Sequence, residues 1–454
     1  MTYPGALRFL DSLVNYEKSA GPRDEFKLDA IRRLLELAGN PQELLPRTIL
    51  VAGTKGKGSV CYQLDAALRG CGLSTGMFVS PHVTTVRERI QVDGEPVSER
   101  RFAAAVARFV PLVRRQPVSY FELTAALAFH VFARLQPDYA IVEVGLGGRL
   151  DATNLSNPDV SVITRIGYDH LKVLGNTLGR IAREKAGIMR RGRPVVISRQ
   201  EPEALRSLER CARIADAELL QSDALVQISR VNIRPFGSSF DVRTPLGAAR
   251  ISLPLLGRHQ VENCRTVLAV LTTLAKTDPR IRIPGVRSGL GRVRIPARCE
   301  VVRRRPLVLV DSCHNPESGQ ALADVIRDHV RSRIVLVYGS LSGKLVGRTV
   351  RPLARRVERA VLVRPDSPRA MSLAVLKSIF GRLGIAYSTA PDLRSALSRA
   401  LGSTSTIRHS PFPVVVAGSF YLAGDALDLL RSMPLRTQKR KRGATPRSKT
   451  VPRT

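Results

Sequence analysis

Between residue 47 and about residue 290, short continuous apolar runs alternate with longer stretches whose apolar residues recur at helical spacing. The runs Thr48–Ala52, Thr75–Val79, Tyr139–Val144, Val160–Thr164 and Pro194–Ile197 lack polar alternation, which is the pattern of strands buried on both faces. The almost wholly apolar Phe121–Leu135 and the periodic Asn176–Met189 predict helices, and the alternation predicts a parallel sheet with crossover helices. From Val226 to Leu253 the runs shorten, with turn signals at Pro235–Gly237 and Pro245–Gly247, and an antiparallel hairpin beside the sheet is predicted. Gly257–Leu274 and Ile283–Leu290 read as helices, and Gly291–Pro296 as a hinge. Two strands over Arg298–Asp311 restart the pattern, and Ile334–Gly339, Ala360–Val363 and Val414–Ala417 continue it with helices between. The expected organisation is an α/β chain. A parallel-sheet domain with N-terminal helices spans 1–290, a hinge 291–297 and a smaller α/β domain 298–435; a basic, disordered tail covers 436–454.

Composition narrows the class without naming a function. With 454 residues, 44% hydrophobic and 24% charged, the chain reads as a soluble globular protein of two or three domains. No apolar segment reaches the ~18 residues of a membrane span. The N-terminal stretch, with Asp11 and Glu17, lacks the basic-then-apolar layout of a signal peptide. The six cysteines, at 61, 71, 211, 264, 299 and 313, form no C-x-x-C pair. Neither a zinc site nor a disulfide framework is expected, and reduced thiols in the cytoplasm are the natural reading. The net charge of +34 comes from 72 Lys and Arg, of which only twelve are Lys, against 38 Asp and Glu. Eight basic residues lie between Arg436 and Thr454, so most of the excess is spread over the folded body. It would attract polyanionic substrates. A nucleic-acid surface would interleave aromatic residues with that charge, yet aromatics are 5% and Trp is absent. A general preference for arginine on solvated faces accounts for the excess more simply.

The chemistry concentrates in Val51–Ser59, Val-Ala-Gly-Thr-Lys-Gly-Lys-Gly-Ser. A buried strand, a glycine turn and a helix start together form an anion cradle: amide N–H groups point at a phosphate and the helix dipole favours negative charge. Lys57 would reach the outer phosphates and the Ser59 hydroxyl would lie near a magnesium ion. Gly58 separates Lys57 from Ser59, a departure from the common G-x-x-x-x-G-K-[ST] loop. Glu143 ends an apolar strand before the run Gly145–Gly148, at the carboxyl end where open α/β sheets bind ligands; a carboxylate there suits Mg²⁺.

From Leu13–Lys18 to Gly418–Leu422 the sequence resembles the folylpolyglutamate synthase and dihydrofolate synthase family of ATP-dependent Mur ligases. The motifs that carry the likeness are Gly53–Ser59, Ser80–His82, Tyr120–Glu122, Glu143–Asn154, Asp169–His170, Arg183–Ile188, Gly257–Gln260 with Asn263, and Asp311–Pro316. The resemblance implies a Mur-ligase-like ATP-binding parallel-sheet domain followed by a smaller Rossmann-like domain. It implies ATP bound by Gly53, Thr54, Gly56, Lys57, Gly58, Ser59, Asn263, Arg298 and Asp311. Two Mg²⁺ ions would be held by Ser80, Glu143, His170 and Lys185, the last as a carbamate. Tyr120, Phe121, Glu122, Leu150, Asp151 and Ala152 would contact the folate, although core and loop packing explains them nearly as well. Lys57, Lys185 and His314 would be catalytic. Ser312-Cys313 replaces the family's Gly-Ala pair, and Ser342-Gly343 precedes Lys344 where the family has an acidic residue, which weakens a role for Lys344.

The implied reaction joins L-glutamate to a reduced folate, with dihydropteroate as a possible acceptor, through an acyl phosphate. The enzyme would be an acid–amino-acid ligase acting as a cytoplasmic monomer without membrane or specific nucleic-acid partners. Two rival readings share these residues: a Mur-type ligase with another amino acid and acceptor, and a nucleic-acid-binding protein retaining a degenerate nucleotide fold.

Overall fold

A computed structural model describes residues 1–16, 27–402 and 412–432. The tail Arg436–Thr454 lies outside the described residues, as do Glu17 and Lys18. The first sheet has eight strands in the order β4 (Glu95–Pro96), β3 (Ile90–Val92), β2 (Thr75–Phe78), β5 (Tyr139–Glu143), β1 (Arg47–Ala52), β6 (Val160–Ile163), β7 (Pro194–Ile197) and β8 (Glu218–Gln221). From β2 to β8 every pairing is parallel; β3 and β4 add an antiparallel edge.

Alternation within the central strands builds two cores. Leu50 and Ala52 of β1 and Ala140 and Val142 of β5 join one hydrophobic cluster, while Ile49, Val51, Tyr139 and Ile141 join the other. Because both faces are covered, the strands are apolar throughout. Helices Glu99–Arg115 and Tyr120–Leu135 cover the first face, and Lys57–Gly70 and Arg258–Ala275 the second. All five predicted strands of this region are present, with Val79, Val144 and Thr164 just outside. The predicted helix Asn176–Met189 is shorter, Leu178–Ala186, because Thr177 caps its start by accepting from the Arg180 amide.

Where a hairpin was predicted, three antiparallel strands form a separate sheet: β9 (Gln227–Arg234), β10 (Gly237–Thr244) and β11 (Gly247–Leu253). The two turn signals each join a strand pair, so two turns make three strands.

A third sheet runs β12 (Glu300–Arg304), β13 (Leu307–Val310), β17 (Val414–Ala417), β14 (Ile334–Tyr338), β15 (Val357–Leu362), β16 (Tyr387–Thr389). Only the β12–β13 pair is antiparallel. It again has two cores, with Leu336 and Tyr338 facing one and Val335 and Val337 the other. Residues 291–299, which contain the predicted hinge, form no regular element.

The third sheet's layer is tied back to the preceding part by His329, the last residue of helix Pro316–His329. Its Nδ1 donates to the Arg234 carbonyl at 2.6 Å and its Nε2 accepts from the Gly257 amide at 2.9 Å. Arg258 pairs with Asp328 at 3.3 Å beside it. Among the described residues no helix is long and apolar enough to cross a membrane, and all six cysteines are free.

Candidate active site

The carboxyl ends of β1, β5 and β6 open into a cleft of about 2110 Å³ whose opposite wall comes from residues of the third sheet's layer. β1 delivers the glycine loop. Gly56 has φ +90°, a left-handed conformation that glycine adopts without the cost of a Cβ, and helix Lys57–Gly70 starts directly after it. That helix start has no side-chain cap, so its first amides face the cleft unclaimed by the chain's own side chains. Gly58 approaches the carboxylate at the end of β5: a Cβ built on it would lie 3.4 Å from Glu143 Oε2, in ordinary contact.

Glu143 is 4% exposed, and its Oε2 accepts from the Ser80 amide at 3.0 Å. Burial pushes its carboxyl above the usual range, and Lys57 with the Ser80 amide opposes that shift. Lys185, on helix Leu178–Ala186, is also 4% exposed and donates from Nζ to the Gly53 carbonyl at 2.9 Å. Burial, reinforced by Lys57, pulls its ammonium down to about 7 against the opposing pull of Asp169 and Asp151. His170 has φ +49° and an exposed ring; its amide donates to Asp169 Oδ1 at 3.0 Å. Among the described residues no three His, Cys, Asp or Glu side chains converge on a metal position. An Mg²⁺ ion that arrives on nucleotide phosphates needs only one or two protein carboxylates beside its waters. The oxygen donors Ser59, Ser80 and Glu143, all lining the cleft, fit such an ion.

On the opposite wall, Arg298 donates to Ser312 Oγ at 2.9 Å, and its guanidinium lies 5.2 Å from the centre of the Phe420 ring. The His314 ring is 5.4 Å from that same ring. Its Nδ1 lies 3.0 Å from the Ser312 carbonyl, which can only accept, so the proton sits on Nδ1 and Nε2 is an acceptor. Burial lowers this histidine to about 4, so the ring is neutral at physiological pH. The glycine loop meets this wall directly: Lys55 Nζ lies 3.5 Å from Asp169 and 4.0 Å from Glu317, the latter in the first turn of helix Pro316–His329.

Most of the residues singled out from the sequence line this one cleft. Thr54, Gly56, Lys57, Gly58, Ser59, Ser80, Glu143, His170, Asn263, Arg298 and His314 do, together with Tyr120, Phe121, Glu122, Leu150, Asp151 and Ala152. Gly53, Lys185 and Asp311 stand behind the lining. Asp311 is buried with Oδ2 on the Cys299 amide at 2.7 Å and Oδ1 on the Cys313 amide at 2.8 Å, so both carboxylate oxygens are used to shape the chain. Two of the expected folate contacts are similarly committed. Glu122 accepts from the Ser119 amide and hydroxyl in a capping box, and Asp151 accepts from the Leu146 and Thr153 amides. Sequence reasoning gave no role to Gln260, Lys55, Arg89 or Phe420, all of which line the cleft. The G-R-H-Q run held Gln260 in view, but its partner Ser59 is 201 positions away. Arg89 is buried over the Tyr120 ring, 5.2 Å from its centre, and donates to His82 Nδ1 at 2.9 Å.

Two family models match the chain: the Mur ligase middle domain over residues 51–271 and the Mur ligase glutamate ligase domain over 297–419. A Mycobacterium tuberculosis protein named dihydrofolate synthase/folylpolyglutamate synthase is 33% identical over 441 residues, covering 90% of this chain and 90% of that protein. A Haloferax volcanii protein named probable bifunctional folylpolyglutamate synthase/dihydropteroate synthase is 34% identical over 441 residues. This chain spans 94% of its own length but only 50% of that relative's. Among solved structures, the Mycobacterium tuberculosis folylpolyglutamate synthase complexed with ADP superposes with a TM-score of 0.83 at 32% identity, over 95% of this chain and 99% of that one. A folylpolyglutamate synthase complex with AMPPCP and folate superposes at 0.79 and 28% identity, over 95% and 100%.

Proposed function

The chain belongs to the folylpolyglutamate synthase and dihydrofolate synthase family of Mur ligases, and from that membership we propose that it ligates L-glutamate to a reduced folate at the expense of ATP. The observation that carries the reading is the approach of Gly58 to Glu143. It sets a bare helix start and a buried carboxylate side by side, one for phosphates and one for their cation.

In this reading Gly53, Thr54, Gly56, Lys57, Gly58 and Ser59 cradle the triphosphate, with Asn263 on the same side and Arg298 and His314 facing it from the opposite wall. Asp311 acts on the nucleotide through the Cys299 and Cys313 backbone that it shapes around Arg298. Ser80, Glu143, His170 and Lys185 hold the Mg²⁺ ions, which when bound neutralise the phosphates. Lys185 serves as a carbamate: its amine, whose pKa burial lowers to about 7, has a neutral fraction at physiological pH that adds CO₂ and loses a proton, turning a buried cation into two oxygens. Tyr120, Phe121, Glu122, Leu150, Asp151 and Ala152 wall the folate end; for Glu122 and Asp151 the contribution is the backbone they fix.

The folate carboxylate attacks the γ-phosphorus, giving an acyl phosphate and ADP. The deprotonated amine of glutamate then attacks the acyl carbon and releases phosphate. The protein's part is to position the reactants and stabilise charge. Because the walls come from both sides of residues 291–297, closure about that segment completes the site. The chain works as a monomer in the cytoplasm, where ATP and reduced thiols are kept. ADP release with L-glutamate and either tetrahydrofolate or dihydropteroate, against alanine and other amino acids, tests this. Turnover with tetrahydrofolate and glutamate is expected. Turnover with a different amino acid alone would make it another Mur-type ligase, and dihydropteroate turnover would add dihydrofolate synthesis.

A further inference from the structure

Gln260 is 2% exposed and lies one turn before Asn263 on helix Arg258–Ala275, against the first turns of helix Lys57–Gly70. Its side-chain amide joins three partners. Oε1 accepts from Gln63 Nε2 at 3.2 Å and from Asn263 Nδ2 at 3.1 Å, and Nε2 lies 3.3 Å from Ser59 Oγ. An amide can be placed either way round, so the direction of each bond must be deduced from a group that cannot flip. The Gln260 backbone carbonyl is that group. It can only accept, and Gln63 Nε2 lies 3.5 Å from it, so the Gln63 terminus facing Gln260 is the NH₂. The Gln260 atom facing that NH₂ is then oxygen, and the atom facing Ser59 is NH₂. Turning Gln260 over would set its NH₂ against the NH₂ of fully buried Gln63.

We propose that Gln260 is a positioning residue: it fixes the direction of the Ser59 hydroxyl and ties Asn263 to the phosphate loop through one amide. The Nε2 donor occupies one lone pair of Ser59 Oγ, and the serine proton cannot point at it. What remains, one lone pair and the O–H, is left for the cleft, where a cation would take the lone pair and a phosphate oxygen would accept the proton. This rests on the reading of Ser59 as the hydroxyl beside the nucleotide's cation.

The sharpest substitution is Gln260→Glu, which keeps shape and acceptors but cannot donate when ionised, so the Ser59 O–H turns towards it. Gln260→Met, which removes both functions, is the second variant should the acidic one fold poorly. The readout is ADP binding by calorimetry to the full-length protein, with EDTA and with Mg²⁺, besides kcat and KM for ATP. Gln260→Glu is expected to leave affinity in EDTA within about twofold of wild type and to lose most of the Mg²⁺-dependent gain, as Ser59→Ala does. In the double variant Ser59→Ala/Gln260→Glu the loss should equal that of Ser59→Ala alone, because the two act as one unit. A full Mg²⁺ gain in both Gln260 variants, with Ser59→Ala impaired, overturns the positioning role and leaves the nucleotide site standing. Losses that multiply in the double variant also overturn it. A full Mg²⁺ gain in Ser59→Ala overturns the reading of Ser59 and the inference with it.

Discussion

Lys185 Nζ donates to the carbonyl of Gly53, the first residue of the phosphate loop, at 2.9 Å. A buried lysine thus props the loop from behind. An ammonium within ~4 Å of a divalent cation would be repelled by several kcal/mol even at an effective dielectric of about 20. Conversion to the carbamate reverses that sign. Lys185→Ala should therefore lose more than about 99% of kcat, roughly 3 kcal/mol in the barrier. Short carboxylic acids should restore part of it by filling the vacated space. Lys185→Arg should stay inactive, because guanidinium remains charged. An active arginine variant rules the carbamate out.

Gly58 separates stability from activity. Its backbone is helical, so Gly58→Ala should hold or raise the melting temperature, since alanine favours a helix over glycine by up to about 1 kcal/mol. The new methyl would sit 3.4 Å from Glu143 Oε2, in the space between loop and carboxylate. Turnover should fall at least about tenfold, about 1.4 kcal/mol. Thermal unfolding measured beside kcat checks this; unchanged turnover would detach Glu143 from the nucleotide's cation. Lys57→Ala, by contrast, should abolish ligation with the fold intact.

His329 makes stability depend on pH. As a neutral ring it donates to Arg234 and accepts from Gly257; protonated, it would present a second donor to the Gly257 amide. Burial lowers its pKa, with the Arg234 carbonyl and Asp328 opposing and Arg258 assisting. The neighbouring ring of His259 is depressed as well, by burial first. The unfolded chain therefore binds a proton more readily than the folded one. This contribution is present in full above the ordinary histidine value of about 6.5 and shrinks as pH falls below it towards the folded value. His329→Leu should cost on the order of 2 kcal/mol at neutral pH. Its deficit against wild type should narrow below about pH 6 in chemical denaturation, and a deficit constant from pH 8 to 5 would contradict the assignment.

Legibility in the sequence followed the distance over which each interaction acts. The phosphate loop could be read because strand, glycines and helix start are contiguous from Arg47 to Ser59. The central strands could be read because burial on both faces makes them apolar. β3, β4, β8 and β16 were missed: they are strands of two to four residues at or next to the sheet edges, too short for an apolar run to mark them. Glu122 and Asp151 line the cleft while their carboxylate oxygens cap local turns. The Ser119-x-x-Glu122 capping box was visible in the sequence and is the nearer explanation of that glutamate. The Gln260 network was invisible, since Gln63 and Gln260 are 197 positions apart and meet only when two helices pack.

The proposed reaction activates a folate carboxylate by phosphorylation and captures it with glutamate. Its most direct test is oxygen transfer. Tetrahydrofolate labelled with heavy oxygen in its terminal carboxylate is turned over with ATP, Mg²⁺ and L-glutamate, and the released phosphate is analysed by mass spectrometry. Attack on the γ-phosphorus makes one labelled oxygen the bridge of the acyl phosphate, and cleavage of the C–O bond by the amine leaves it on phosphorus. The account predicts one heavy oxygen in phosphate for each glutamate added, with none in phosphate when Lys57→Ala replaces the wild type. Glutamate addition that leaves phosphate unlabelled would contradict it.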